Sequence, residues 1–281
     1  MKTRKFWLLT AAVLAVLGFI IFGIAFFAAK GDFMKLSTSK LVTNEHTVTE
    51  DFTSLTLTAK DARIEILPAK DGKVNVTCYE EENRRHAVSV KEDVLVIEVI
   101  DEKKWYEYIG FNLKTPRITV YLPEKEYKDL LIANKTGGID IRGITAETLT
   151  ASTSTGKIKI EDVRCQGSIV TDFSTGGTYL KNVTCESLSS RGGTGDVTLD
   201  TTLVRGKADM KTNTGDVTLL SSDAAELTIQ TNTGDVEGTL LSPKIFIPKT
   251  KTGDILVPET VTGGKCKITT NTGDIEITVT N

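Results

Sequence analysis

Five aspartates recur at one position of a repeated phrase. Asp196, Asp216, Asp235, Asp254 and Asp274 each follow a Thr-Gly pair directly, as in TNTGDV from Thr212. In a stacked structure such residues form a row on one edge, about one strand separation (~4.8 Å) apart. A row of carboxylates has three possible uses. It can cap turns by accepting backbone N–H groups. It can bind a hard cation through oxygen ligands, which makes these five a candidate cation ladder and Ca2+ the one cofactor to consider. It can also supply acids for sugar cleavage, which requires a differentiated pair in a cleft. The row is uniform, so turn capping is favoured and no catalytic residue is assigned. The nine-residue repeat of calcium β-rolls does not match the spacing seen here.

Other chemistry-bearing residues are few. Trp105, Tyr106 and Tyr108 lie with Phe111 in DEKKWYEYIGFNLK, between two strand-like runs. They either pack over a cap or offer a platform to sugars and peptides, and they are the candidate ligand-binding residues. His46 and His86 are the only histidines. Neither is read as part of a Cys or carboxylate cluster, so zinc binding and histidine catalysis are not expected. The run EEENRRH from Glu80 reads as a solvated hairpin turn. The four cysteines show no metal-ligand spacing. Cys165 and Cys185 share a repeat position with Ala146, Val204 and Ala224. That column reads as buried thiols, with a disulfide the alternative in an oxidising exterior. A formal net charge of -3 without a basic run excludes nucleic acid as a partner.

The elements that position these residues follow from the repeat. Thr-Gly pairs place Gly at 137, 156, 176, 195, 215, 234, 253 and 273, with intervals of only 19 or 20 residues. Residues seven before the Gly are core-compatible: Leu130, Leu149, Ile169, Leu188, Ala208, Leu227, Phe246 and Cys266. Residues two after are mostly β-branched, from Ile139 to Ile275. Each repeat is therefore two short strands with period-2 alternation. The inward parity changes at the Gly, which marks a corner where positive φ is needed. Two strands cannot bury a face alone, so the repeats must stack as a solenoid. The partial Thr column at 153, 212, 231, 250 and 270 is expected to hydrogen-bond at the corner.

The expected fold is all-β. It is a single-chain β-helix of about eight regular coils at 129–281, preceded at 51–128 by a degenerate coil and an antiparallel β cap. In the degenerate coil, Ala62 stands for the Gly. Residues 30–50 read as a linker. Residues 6–29 contain no charge and can span a ~30 Å hydrocarbon core. Lys2, Arg4 and Lys5 precede them in a basic tail at 1–5. The positive-inside rule gives a single-pass anchor with a cytoplasmic N-terminus and an extracellular ectodomain, rather than a cleaved signal. The C-terminal end of the rod has little sequence left for a cap, so homo-association there is an expectation.

The TNTGDV and KTGDI repeats behind one apolar segment resemble the bacterial putative-adhesin domain family of unknown function, which includes the LiaG-like membrane-anchored envelope proteins. The resemblance covers roughly residues 50–281. It implies a β-solenoid on the extracytoplasmic face of a Gram-positive bacterium and carries over no catalytic residues. Residues and resemblance together lead to the expectation of a non-enzymatic protein. Its role would be binding, adhesion or scaffolding in the cell envelope, with a link to envelope stress. The expected partners are a cell-wall polymer or a surface or membrane protein. The alternatives are an envelope polysaccharide enzyme using the Asp row, and a membrane-tethered regulator of another membrane protein.

Overall fold

The computed structural model describes residues 2–28, 30, 40–105 and 114–280. The first element is the helix Lys2–Ala28, within which Lys5–Ala28 is long and apolar enough to cross a membrane. Nearly all its large side chains are exposed.

The rest is one β-solenoid. Strands of successive coils pair in parallel and in register, with Leu149 opposite Ile169 and Ile169 opposite Leu188. After the corner, Ile158 pairs with Thr178 and Thr178 with Val197. The alternating inward residues fill one continuous core between the walls, including Leu149, Ile160, Leu180, Val197 and Ile229. A second corner lies six residues after the Gly in five of the coils, from Gly137 to Gly215. There the backbone is left-handed at Gly143, Asp162, Asn182, Thr201 and Ser221. Only the first of these is a glycine, so this corner is not conspicuous in the sequence.

Ala62 takes the corner place in the first coil. The strands Ser54–Ala59 and Arg63–Pro68 stack in parallel on the Gly137 coil, with Leu55 opposite Leu130 and Ile64 opposite Ile139. Their other sides pair with Val94–Asp101 and Arg117–Leu122. The expected antiparallel strands close this end: Val74–Glu81 on Arg117–Leu122, and Arg84–Lys91 on Val94–Asp101.

Two expectations need correction. The second half of the supposed linker is a strand, Leu41–Val48, paired antiparallel with Val74–Glu81 along its length. Its half-buried alternation, LVTNEHTV, is that of an edge strand. The other correction concerns coil order. The last coil in sequence is not the last in space. Leu227 pairs with Cys266 and Cys266 with Phe246, so the Gly273 coil is inserted between the Gly234 and Gly253 coils. The inserted coil buries Cys266, Ile268, Ile275 and Ile277, which are covered from both sides. The outermost coil leaves Ile247 48% and Leu256 63% exposed. It also carries Pro243, Pro248 and Pro258, and proline cannot donate to a further strand.

Candidate functional site

The corner ridge explains the Thr-Gly-Asp phrase. At the regular corners φ of the Gly runs from +120° at Gly137 to +147° at Gly156, a region closed to other residues. A Cβ on Gly234 would stand 2.1 Å from the carbonyl oxygen of Gly215 in the coil beneath. The threonines three before the Gly, buried except for the half-buried Thr250, serve the same carbonyls. Thr212 Oγ1 donates to Gly195 O at 2.9 Å, Thr231 to Gly215 O at 3.0 Å and Thr270 to Gly234 O at 3.1 Å. Asn134 does this for the degenerate coil, donating to Ala62 O at 2.6 Å.

The aspartates cap across coils rather than within their own turn. Asp196 Oδ1 accepts the Asp216 N–H at 3.0 Å, and Asp216 Oδ1 accepts that of Asp235 at 2.8 Å. Asp235 accepts from Asp274 at 2.7 Å, and Asp274 from Asp254 at 2.8 Å. Four of the five carboxylates are thus partly neutralised by a backbone dipole, which offsets repulsion of about 1 kcal/mol between neighbours in water. Among the described residues, the ladder does not bring three ligand atoms within 4.8 Å of one another.

One wall carries an open groove. Four residues before the corner, Ser152, Asp172, Arg191, Lys211 and Gln230 pair in sequence across five coils. They line a trough of about 830 Å³ with Asp209, Thr228 and the edge of Phe173. Phe173 takes the place of the buried Thr and leans over the next coil. A Cβ on Gly192 would stand 2.0 Å from its ring, so the Phe and the Gly form a matched pair. The inward neighbours in these coils are hydroxyls: Thr178 Oγ1 donates to Thr171 Oγ1 at 3.2 Å, and Thr171 Oγ1 to Ser190 Oγ at 2.9 Å. The groove offers side chains of both charges and several hydroxyls and amides at one-coil intervals. Such an array can hydrogen-bond an extended polar polymer. The sequence reading missed it because these columns contain no repeated residue type.

The remaining candidates fall elsewhere. Trp105 is 77% exposed at the end of the N-terminal cap, while Tyr106 and Tyr108 lie outside the described residues. All four cysteines are free and buried. Cys165 and Cys185 sit in the predicted column, where Ala146 pairs with Cys165 and Cys185 with Val204. Burial pushes the Cys185 and Cys266 thiols up to about 12, so neither is a nucleophile at neutral pH. The run EEENRRH is not simply solvated, because Glu80, Glu81, Arg84 and His86 are buried. The turn itself is short, with Glu81 paired to Arg84, and the flanking side chains fold back over the core.

These features define a capped single-chain β-solenoid, with glycine corners, a carboxylate ridge and one grooved wall. The family model described as Toastrack DUF4097 matches residues 52–281, and the chain belongs to that family. Among solved structures, it is similar to a putative adhesin from Bacteroides fragilis, at 18% identity and TM-score 0.47, covering 86% of this chain and 98% of that one. A putative adhesin from Parabacteroides distasonis is 11% identical, with TM-score 0.45 and coverage of 85% and 98%. One from Parabacteroides merdae is 14% identical, with TM-score 0.39 and coverage of 86% and 97%. No protein of curated function matches the chain.

Proposed function

We propose that this protein is a membrane-anchored, non-enzymatic binding rod of the bacterial cell envelope, and that its grooved wall binds an extended cell-wall polymer. The observation that carries this reading is the polar trough across five coils, with Asp172, Arg191 and Lys211 adjacent in register. A rigid wall repeating at ~4.8 Å presents the same spacing to every segment of a repeating ligand. The helix Lys2–Ala28 serves as the anchor, and Lys2, Arg4 and Lys5 at its start keep the N-terminus in the cytoplasm. The adhesin names of the similar structures agree with an adhesive role. The expected link to envelope stress would then lie in what the rod binds. Association of two copies at the far end would use the Gly253 coil, since the Gly273 coil is enclosed.

The test is sedimentation of the detergent-solubilised full chain with isolated bacterial cell walls. Reversing the groove charges with Arg191→Glu and Lys211→Glu should abolish most pelleting of a chain that otherwise folds normally. Equal pelleting of the variant and the parent protein would exclude the groove as the binding surface.

A further inference from the structure

The N-terminal hairpin gathers residues that do not read as a cluster in the sequence. Its strands, Val74–Glu81 and Arg84–Lys91, leave the turn and diverge to opposite walls. The first joins Arg117–Leu122 and the second joins Val94–Asp101, so their inner faces meet over the end of the core. There Cys78, Glu80 and His86, all buried, each bring one ligand atom within 4.8 Å of the others. Glu80 Oε2 accepts the His86 backbone N–H at 2.7 Å and lies 2.7 Å from His86 Nδ1. Glu80 Oε1 accepts from Asn44 Nδ2 at 2.6 Å. The His86 side chain is only 5% exposed, yet its Nε2 is buried without a partner.

Core packing alone does not explain this set. The preceding inward positions on the same strand are Val74 and Val76, and an apolar residue would close the end more cheaply than a buried carboxylate. A thiolate, a carboxylate and a neutral imidazole together carry two negative charges. One divalent cation balances them, leaving a neutral buried unit. Sulfur, nitrogen and oxygen donors together suit a zinc-class ion. A tetrahedral ion with bonds of about 2.0–2.3 Å needs ligand atoms roughly 3.3–3.8 Å apart, so side-chain rotation must open the 2.7 Å Glu80–His86 contact within a set that already lies inside 4.8 Å. His46 stands opposite Val76 in the antiparallel pair, diagonal to Cys78, and its Nε2 is also buried without a partner. It is the residue placed to offer a fourth ligand.

We propose that Cys78, Glu80 and His86 hold one zinc-class divalent cation that clamps the hairpin over the N-terminal end of the solenoid. On binding, the Cys78 S–H bond breaks, its proton goes to solvent and a thiolate–metal bond forms. Because each ion bound releases a proton, metal uptake should rise with pH.

The test uses the reduced full chain in detergent micelles, stripped with chelator and titrated with Co2+ and then Zn2+. One cobalt per chain should bind, with a thiolate-to-cobalt charge-transfer band and tetrahedral d–d bands that one equivalent of Zn2+ removes. Cys78→Ser should abolish the charge-transfer band, and Cys266→Ser, at another buried thiol, should retain it. Glu80→Gln keeps the side-chain shape and should weaken cobalt binding at least tenfold, which covers the case of a misfolded Cys78 variant. Absence of the bands in the unsubstituted chain, their persistence in Cys78→Ser, or unchanged affinity in Glu80→Gln overturns the proposal.

Discussion

Replacing Gly234 with Ala perturbs the corner ridge at a single atom. The residue has φ +146°, and its new Cβ would lie 2.1 Å from Gly215 O. A non-glycine residue in this region costs about 1–3 kcal/mol in backbone strain. The clash is with backbone, so the coil must move, and the bonds over the same carbonyl are stretched. Thr231 Oγ1 to Gly215 O (3.0 Å) and the Asp235 N–H to Asp216 Oδ1 (2.8 Å) are the two at risk. At about 1 kcal/mol each, they bring the expected loss to roughly 3–5 kcal/mol. Gly72→Ala is the internal control. Its φ is +69° and no atom lies within 4 Å of the place its methyl would take, so it should cost only about 1 kcal/mol. Urea unfolding of the micelle-solubilised chain, followed by far-UV circular dichroism, gives both values. Equal losses for the two variants would refute the claim that corner stacking, rather than positive φ alone, demands the glycine.

Three further outcomes follow from the same geometry. Thr231→Val keeps the shape but removes the buried hydroxyl from Gly215 O, and should cost about 1–2 kcal/mol in the same unfolding assay. Asp235→Ala removes the acceptor for the Asp274 N–H and should cost about 1 kcal/mol, whereas Asp254 ends the ladder and Asp254→Ala should be near neutral. Calcium should leave both melting temperatures unchanged, and a calcium-dependent rise lost in Asp254→Ala would contradict turn capping. The third outcome concerns pH. Cys185 and Cys266 hold their protons more tightly when folded, up to about 12 against an ordinary 9.0. Their contribution is complete below pH 9 and is lost as pH rises towards 12, at about 1.4 kcal/mol per pH unit for each thiol. The urea midpoint should fall above pH 9, and Cys185→Ala with Cys266→Ala should flatten that fall; a slope unchanged in the double variant would remove the thiols as its cause.

Much of the rod is legible in the sequence because steric demands repeat with the coil. The Gly column announces the corner, and alternation on either side announces the walls. Ala62 is recognisable as a stand-in from the offsets of Leu55 and Ile64, and Asn134 confirms it by bonding Ala62 O. Coil order is not legible. Phe246 and Cys266 are both apolar at the same offset, so Leu227 could pack against either, and only the three-dimensional path selects Cys266. The strand Leu41–Val48 pairs with residues 26 to 40 positions further along through a weak alternation, which local pattern cannot reveal. The groove is hidden for a different reason. Its residues differ in every coil, and a repeat search finds sameness. Likewise the Cys78, Glu80 and His86 cluster depends on two hairpin strands diverging to opposite walls, which spacing alone does not show.

Binding of the full chain in micelles to isolated cell walls, measured by sedimentation over a range of wall concentrations with and without a calcium chelator, tests the central claim most directly. The account predicts saturable pelleting that the chelator leaves unchanged, because the groove binds and the Asp ridge only caps. Pelleting no greater than that of an unrelated micelle-borne protein would contradict a wall-binding rod.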